Sequence, residues 1–399
     1  MPPRLMSIIG IGAIILVCCA VSSDRRRINW ITVGWGLALQ FAFGLLILKT
    51  YPDRIFEAAN AIFSSISLYS GEGAKFLFGS LAEHKDFVIL GMGSVIIFVS
   101  AVLAALNYAR ILPVIIYGLA RLMQKTMRTS GAETLAAAMF ILMGIEGVTG
   151  LKTVIGRMTR SELFTVMTCF MATIAGSVMA VYVGVFGASA GHIMAASIMS
   201  APAALALSKI MIPETLIPET AGRVEWKTLI PQDRGFVEAA ANGALDGLRL
   251  AATIGAILLA FVSIIYMLDA VLGIVGTSFG TLGGYFFAPI AYCMGVPWED
   301  CMKVGNLLAL KTVFNEWLAY SRMQEMVTAG ELAPRSVMIL TYALCSFANF
   351  GSLAILIGGI SALAPDRKHE VIALGLRALA AGLLAGFLTA TVAGCLRAE

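Results

Sequence analysis

Two acidic residues set inside apolar stretches are the groups in this chain best suited to chemistry. Glu316 lies in Lys311-Thr-Val-Phe-Asn-Glu316-Trp-Leu-Ala-Tyr320, and Glu146 in Met143-Gly144-Ile145-Glu146-Gly147-Val148. Beyond Glu316, an apolar stretch carries Ser346-Phe347-Ala-Asn349-Phe-Gly351-Ser352. A charge at membrane depth is costly unless it is solvated or paired, so each Glu is a functional-site candidate. A carboxylate accepts hydrogen bonds, an amide both donates and accepts, and a Ser hydroxyl adds a third partner. Each residue also has a plainer reading: a carboxylate pinning a turn, or an Asn bonding one helix to another. Bond-breaking chemistry is not supported, because no His lies near either Glu and no nucleophile–base or metal cluster accompanies them.

The elements that must position these groups are apolar helices. The chain is 59% hydrophobic and only 13% charged, against about a quarter charged in soluble domains. Repeated apolar runs near twenty residues define an all-α polytopic membrane protein. Full spans are expected at 5–21, 28–48, 88–106, 162–184, 190–212, 249–273, 336–362 and 370–394. Residues 50–86 and the amphipathic stretch 111–127 are expected along an interface, and 213–235 forms the one long loop. The net charge of +4 then concerns topology and not nucleic acid. Seven Cys lie mostly in apolar spans without a CxxC pair, so neither a disulfide framework nor a zinc site is expected. His84, His192 and His369 fall near span ends, where solvated loop positions are expected. Lys152, Lys311 and Arg377 are expected to pair with a carboxylate or to snorkel.

Basic residues set the orientation. With Arg25–Arg27 cytoplasmic, the segments 107–133, 209–249 and 366–368 also fall inside, while 185–191 and 274–300 contain no Lys or Arg. The pattern holds only if 134–157 and 302–324 each return to the side they entered from, as re-entrant hairpins. An internal repeat agrees. Arg160-Ser161 recurs as Arg335-Ser336, and Gly176-Ser177 as Gly351-Ser352, each 175 residues on (335 − 160, 351 − 176). Each copy orders its parts alike: a hairpin with a central Glu, then Arg-Ser, then an apolar span with Gly-Ser. An odd number of crossings between copies makes the repeat inverted, as in secondary transporters with a site near the bilayer midplane. The expected division is 1–130 scaffold helices, 131–212 first transport repeat, 213–300 linker, connecting span and interfacial segment, and 301–399 second transport repeat.

Asn315-Glu316-Trp-Leu-Ala-Tyr320 resembles the Asn-Glu-Phe-Val-Ala-Tyr motif of concentrative nucleoside transporters. Phe347-Ala-Asn349-Phe-Gly-Ser352 resembles their Phe-Ala-Asn-Phe-Ser-Ser segment. Gln124 to Glu133, Met158 to Leu163 and Leu374 to Leu379 are similar to further family stretches, so the likeness runs from about residue 30 to the C-terminus. It implies eight transmembrane helices plus two re-entrant hairpins, a homotrimer, and import of nucleosides across the plasma membrane on a cation gradient, without a cofactor. It also implies that Glu316, Asn349 and Ser352 hold the ribose, that Phe347 walls the sugar, and that Val178 lines the base.

The first hairpin departs from the family. Where relatives read Gly-Gln-Thr-Glu-Ala-Pro, this chain has Met143 to Val148, keeping the carboxylate as Glu146 but placing Gly144 and Ile145 at the base-contacting positions. Altered base selectivity is expected, because an unpaired polar edge in a pocket costs about 1–3 kcal/mol. At the ion site, the resemblance implies Met139, Leu142, Thr173 and Ile174. Met139 replaces a family Asn, and a thioether serves sodium poorly. The residues therefore lean towards a proton, with sodium close behind. A family member of altered solute specificity, or a passive or non-transporting form, is the alternative.

Overall fold

The computed structural model describes residues 2–50, 52–83, 88–224, 226–230 and 233–396. Sixteen α-helices are present there: α1 Pro3–Ala20, α2 Trp30–Leu45, α3 Pro52–Phe78, α4 Val88–Tyr108, α5 Ile111–Met127, α6 Gly131–Met143, α7 Arg160–Ala172, α8 Gly176–Gly184, α9 Ala190–Met211, α10 Phe236–Gly273, α11 Phe279–Cys293, α12 Trp298–Val313, α13 Glu316–Thr328, α14 Pro334–Leu344, α15 Phe350–Leu363 and α16 Lys368–Leu396. No strand occurs among the described residues. Seven helical segments are long and apolar enough to cross a membrane by length and composition.

The inner layer is α7, α9 and α16, which pack on one another, while α10 lies outermost against α4 and α11 lies along α12. Small residues let the inner helices close. Ala, Gly, Ser and Thr fill α9 and α16, and nearly every residue of α9 is buried. Helix starts are specified locally. Ser130 with Glu133 opens α6 and Thr159 with Glu162 opens α7, each as a reciprocal capping box.

Both predicted spans that carry Gly-Ser are interrupted, which corrects the expectation of continuous helices at 162–184 and 336–362. The first stops at Ala172 and restarts at Gly176, with Thr173 extended between. The second stops at Leu344 and restarts at Phe350, with Asn349 extended and capping α15. Each break mixes apolar residues with a few polar ones, Thr173 in the first and Ser346 and Asn349 in the second, so hydropathy gives little sign of it. The predicted 249–273 span is the later part of α10, which begins at Phe236. The segment expected to lie along an interface at 274–300 contains α11, packed on α12. His192 is a half-buried residue of α9, hydrogen-bonded to the Tyr342 hydroxyl at 3.1 Å, where a solvated loop had been expected. His369 is exposed, and His84 lies outside the described residues.

Candidate substrate site

The site begins where α12 ends. Phe314 and Asn315 leave helical geometry, and the Asn315 side chain caps α13 by accepting from the Leu318 N–H at 3.0 Å. Glu316 is therefore the first residue of α13, where unpaired N–H groups and the helix dipole favour a carboxylate. Its Oε2 accepts from Asn349 Nδ2 at 2.7 Å, and Asn349 Oδ1 accepts from the Ser352 N–H at 2.8 Å. Both ends of the Asn349 amide are used, which fixes its orientation. Two helix N-termini, of α13 and α15, thus converge on one buried carboxylate.

A cavity opens at this pair. Its polar groups come from Asn315, Glu316, Asn349 and Ser352, and its apolar walls include Phe170, Val178, Phe347 and Ile145, with Ile254 and Ile257 of α10 closing the side. Six residues named from the sequence therefore surround one space: Ile145, Val178, Glu316, Phe347, Asn349 and Ser352. Gly144 is not among the lining residues. It ends α6 at φ 60° and ψ −141°, a conformation open to Gly and strained for other residues. Backbone geometry accounts for that glycine, and the cavity gives no support for the base-contacting position expected of it. Glu146 follows in the 3-10 segment Gly144–Leu151, and its side chain lies outside the described residues. The cavity volume is about 60 Å³, room for a few waters at roughly 10–15 Å³ each. A nucleoside-sized solute enters only when the walls part.

Aromatic packing ties α13 to α8. Tyr182 of α8 lies against Tyr320 at 4.4 Å and edge-on to Trp317 at 5.2 Å, ring centre to ring centre. Its buried hydroxyl lies near the Glu316 carboxylate. Lys311 neither pairs with a carboxylate nor snorkels, contrary to expectation. It is fully buried and donates to Ala343 O at 3.1 Å and Ser346 Oγ at 2.7 Å. Lys152 and Arg377 are exposed.

Of the ion residues named from the sequence, Thr173 and Ile174 form the break between α7 and α8, and the Leu142 carbonyl lies beside it. Met139, Thr173 and Ile174 are buried, and a Cβ on Gly176 would sit 3.0 Å from the Leu142 carbonyl oxygen. The Met139 thioether belongs to α6, whose last turn faces this break. Thr173 Oγ1 donates to Cys169 O at 2.8 Å. No described residue donates to the carbonyls of Phe170, Met171 and Ala172, all in buried residues. These oxygens suit a hard cation and need nothing from Met139. No cluster of His, Cys, Asp and Glu able to hold a metal occurs among the described residues, and all seven Cys are free.

Sequence reasoning missed Phe170, Tyr182 and the α10 wall, and misjudged the role of Lys311. Phe170 and α10 had no signal beyond apolarity. Lys311, a charge in a run as apolar as that around Glu316, did have one.

Paired half-helices, hairpin-like helix pairs and a buried polar site between them define a helical membrane carrier. Family models cover most of the chain: Na+ dependent nucleoside transporter N-terminus at 9–81, Nucleoside recognition at 89–189, and Na+ dependent nucleoside transporter C-terminus at 192–394. The uncharacterized transporter YutK of Bacillus subtilis (strain 168) is 37% identical over 98% of each chain. Solute carrier family 28 member 3 of Eptatretus stoutii is 37% identical over 98% of this chain and 60% of its own, so the chain spans about three-fifths of that relative's length. The solved structure of CNTnw in an inward-facing substrate-bound state superposes with a TM-score of 0.91 at 36% identity, covering 98% of each chain. The chain belongs to the concentrative, Na+-dependent nucleoside transporter family, and is a multi-pass plasma-membrane protein. The relatives are transporters and not enzymes.

Proposed function

We propose that this chain imports nucleosides coupled to sodium, with the ribose hydroxyls on Glu316, Asn349 and Ser352. The observation that carries the reading is the Asn349–Glu316 hydrogen bond at 2.7 Å, set at the polar end of a cavity whose other walls are apolar. A nucleoside has that division, a polyhydroxylated sugar and a flat base. Phe347 walls the sugar, while Val178 and Ile145 face the base. Glu146 belongs to the site as its first-repeat carboxylate. The helix pairs α6 with its 3-10 continuation and α12 with α13 are the two re-entrant hairpins, in a protein of eight transmembrane helices assembled as a homotrimer. Sodium is favoured over the proton by the family's own description and by the unmet carbonyls of Phe170, Met171 and Ala172 at the α7 end, with Leu142 and Ile174 offering backbone oxygen and Thr173 its hydroxyl.

Uptake by purified protein in liposomes tests this. Labelled nucleoside should accumulate when external sodium exceeds internal, and should not when choline replaces sodium, at either of two external pH values. Accumulation driven by a pH gradient without sodium overturns the sodium assignment. Saturable binding with no accumulation favours the second reading, a member of altered solute specificity or without transport. The observation favouring that reading is Ile145, which brings an apolar side chain where a base edge needs hydrogen bonds.

A further inference from the structure

Lys311 is a buried charge for which the substrate site has no use. It lines no part of the cavity around Glu316, and it pairs with no carboxylate among the described residues. Burying an unpaired ammonium is expensive, so its two acceptors and the Phe387 ring, 5.8 Å from Nζ, must hold it for a reason.

The reason lies at the end of α14. The last four carbonyls of a helix have no intrahelical partner, and they concentrate the negative end of its dipole. In α14 every one is met. Thr341 O accepts from the Tyr320 hydroxyl at 2.8 Å, Tyr342 O from Cys345 N at 3.3 Å, Ala343 O from Lys311, and Leu344 O from Ser346 N at 2.7 Å. Lys311 and Tyr320 come from α12 and α13, on either side of Glu316.

The first repeat has the same parts in another condition. There α6 corresponds to α12 and α7 to α14, and the last turns of α6 and α7 meet at the Thr173 break. No lysine stands in the last turn of α6, and the carbonyls of Phe170, Met171 and Ala172 have no described donor.

We propose that the Lys311 ammonium takes, in the second repeat, the place the coupling sodium takes in the first. It is a built-in cation that neutralises the end of α14 and so holds the Cys345–Asn349 break, and with it Phe347 and Asn349, in register with Glu316. Lys311 is a positioning residue. This inference rests on the sodium-coupled reading above. It implies one sodium site, because the second helix end is already filled.

The test uses full-length protein in liposomes, with size exclusion confirming a folded species. Absence of sodium-driven uptake by the wild type defeats the transport reading, and equilibrium nucleoside binding then compares the Lys311 variants. Wild-type uptake should depend on sodium hyperbolically. Lys311→Met should raise the nucleoside KM, or weaken binding, at least about tenfold. Lys311→Ala should be restored saturably by added ethylammonium, whereas Lys311→Met should not respond. Lys311→Met with wild-type KM, folded Lys311→Ala indifferent to ethylammonium, or sigmoidal sodium activation of the wild type overturns the assignment. If neither Lys311 variant folds, Ser346→Ala decides. It removes one acceptor of Lys311, should raise KM with sodium activation unchanged, and overturns the assignment by leaving KM at the wild-type value.

Discussion

The Phe347 N–H donates to the Thr173 carbonyl oxygen at 3.0 Å, joining the two interrupted helices of the repeat at their breaks. The same place is reinforced by side chains, for Phe347 stacks on Phe170 with ring centres 5.5 Å apart. A wall residue of the cavity is thus bonded, through its backbone, to the residue that ends α7 beside the proposed ion site. Aromatic pairs contribute about 0.5–1.5 kcal/mol beyond their buried area. Phe170→Leu and Phe347→Leu are therefore expected to be non-additive in nucleoside KM by about that energy. Competition assays on both single variants and the double variant measure it, and strict additivity contradicts the coupling.

Glu316→Gln keeps the shape of the site but removes the charge that Asn349 Nδ2 donates to. Hydrogen bonds to charged groups contribute about 1.5–3 kcal/mol, or roughly 10- to 150-fold. Nucleoside uptake should fall by about that factor. The penalty for nucleosides lacking a ribose hydroxyl should shrink in the variant, because the group that reads the hydroxyl is gone. Retention of full discrimination against the deoxy analogue in Glu316→Gln places the ribose elsewhere.

Ile145 faces the cavity from the first hairpin and also packs against Gly359 of α15. Ile145→Thr supplies a hydroxyl in a smaller side chain, so Ile145→Val, which has the size of Thr without the hydroxyl, is the reference variant. The ratio of purine to pyrimidine nucleoside uptake should change by about 5- to 150-fold, as expected for satisfying or leaving open one polar edge at 1–3 kcal/mol. Discrimination against deoxy analogues should stay as in the wild type. An unchanged ratio, or strong selection for uridine by the wild type, removes Ile145 from base recognition.

Much of this site was legible in the sequence because its polar residues stand out against apolar neighbours. Glu316, Asn349 and Ser352, which line the cavity, were legible for that reason, and Arg160-Ser161 and Arg335-Ser336 mark the starts of α7 and α14, the two helices that break. The breaks at Thr173 and at Cys345 to Asn349 were not, since Ile174, Ala175 and Phe347 are as apolar as the helices they interrupt. What sets the second break is partly tertiary, the Phe347–Thr173 bond, and partly local, the capping of α15 by Asn349. Tyr182 and the α10 residues Ile254 and Ile257 were hidden for another reason. Nothing in their spacing shows which helix they face once packed.

Lys209 illustrates a buried charge of the opposite kind. It forms an ion pair with Glu133, lies 3.4 Å from Glu214 and donates to Ser161 Oγ at 2.8 Å, fastening α9 to the starts of α6 and α7. Breaking a buried pair by removing one partner costs about 3–5 kcal/mol, because a charge is left uncompensated. Lys209→Met should lower the thermal unfolding midpoint of the purified protein, and adding Glu133→Gln should recover part of the loss. A double variant no more stable than Lys209→Met shows that the pair is not the source of the effect.

Gly176 lies beside the Leu142 carbonyl oxygen at the proposed ion site. A Cβ there would lie 3.0 Å from the Leu142 carbonyl oxygen and 3.4 Å from the Leu103 side chain, so Gly176→Ala must push the end of α6 outward. Sodium needs several oxygens at fixed distances, and displacing one carbonyl weakens it without touching Glu316 or Asn349. The sodium concentration for half-maximal uptake should rise about tenfold, the loss of roughly one hydrogen-bond-sized interaction. The nucleoside KM measured at saturating sodium should change little. A raised nucleoside KM with unaltered sodium dependence reverses the assignment and makes this corner part of the substrate's own pocket.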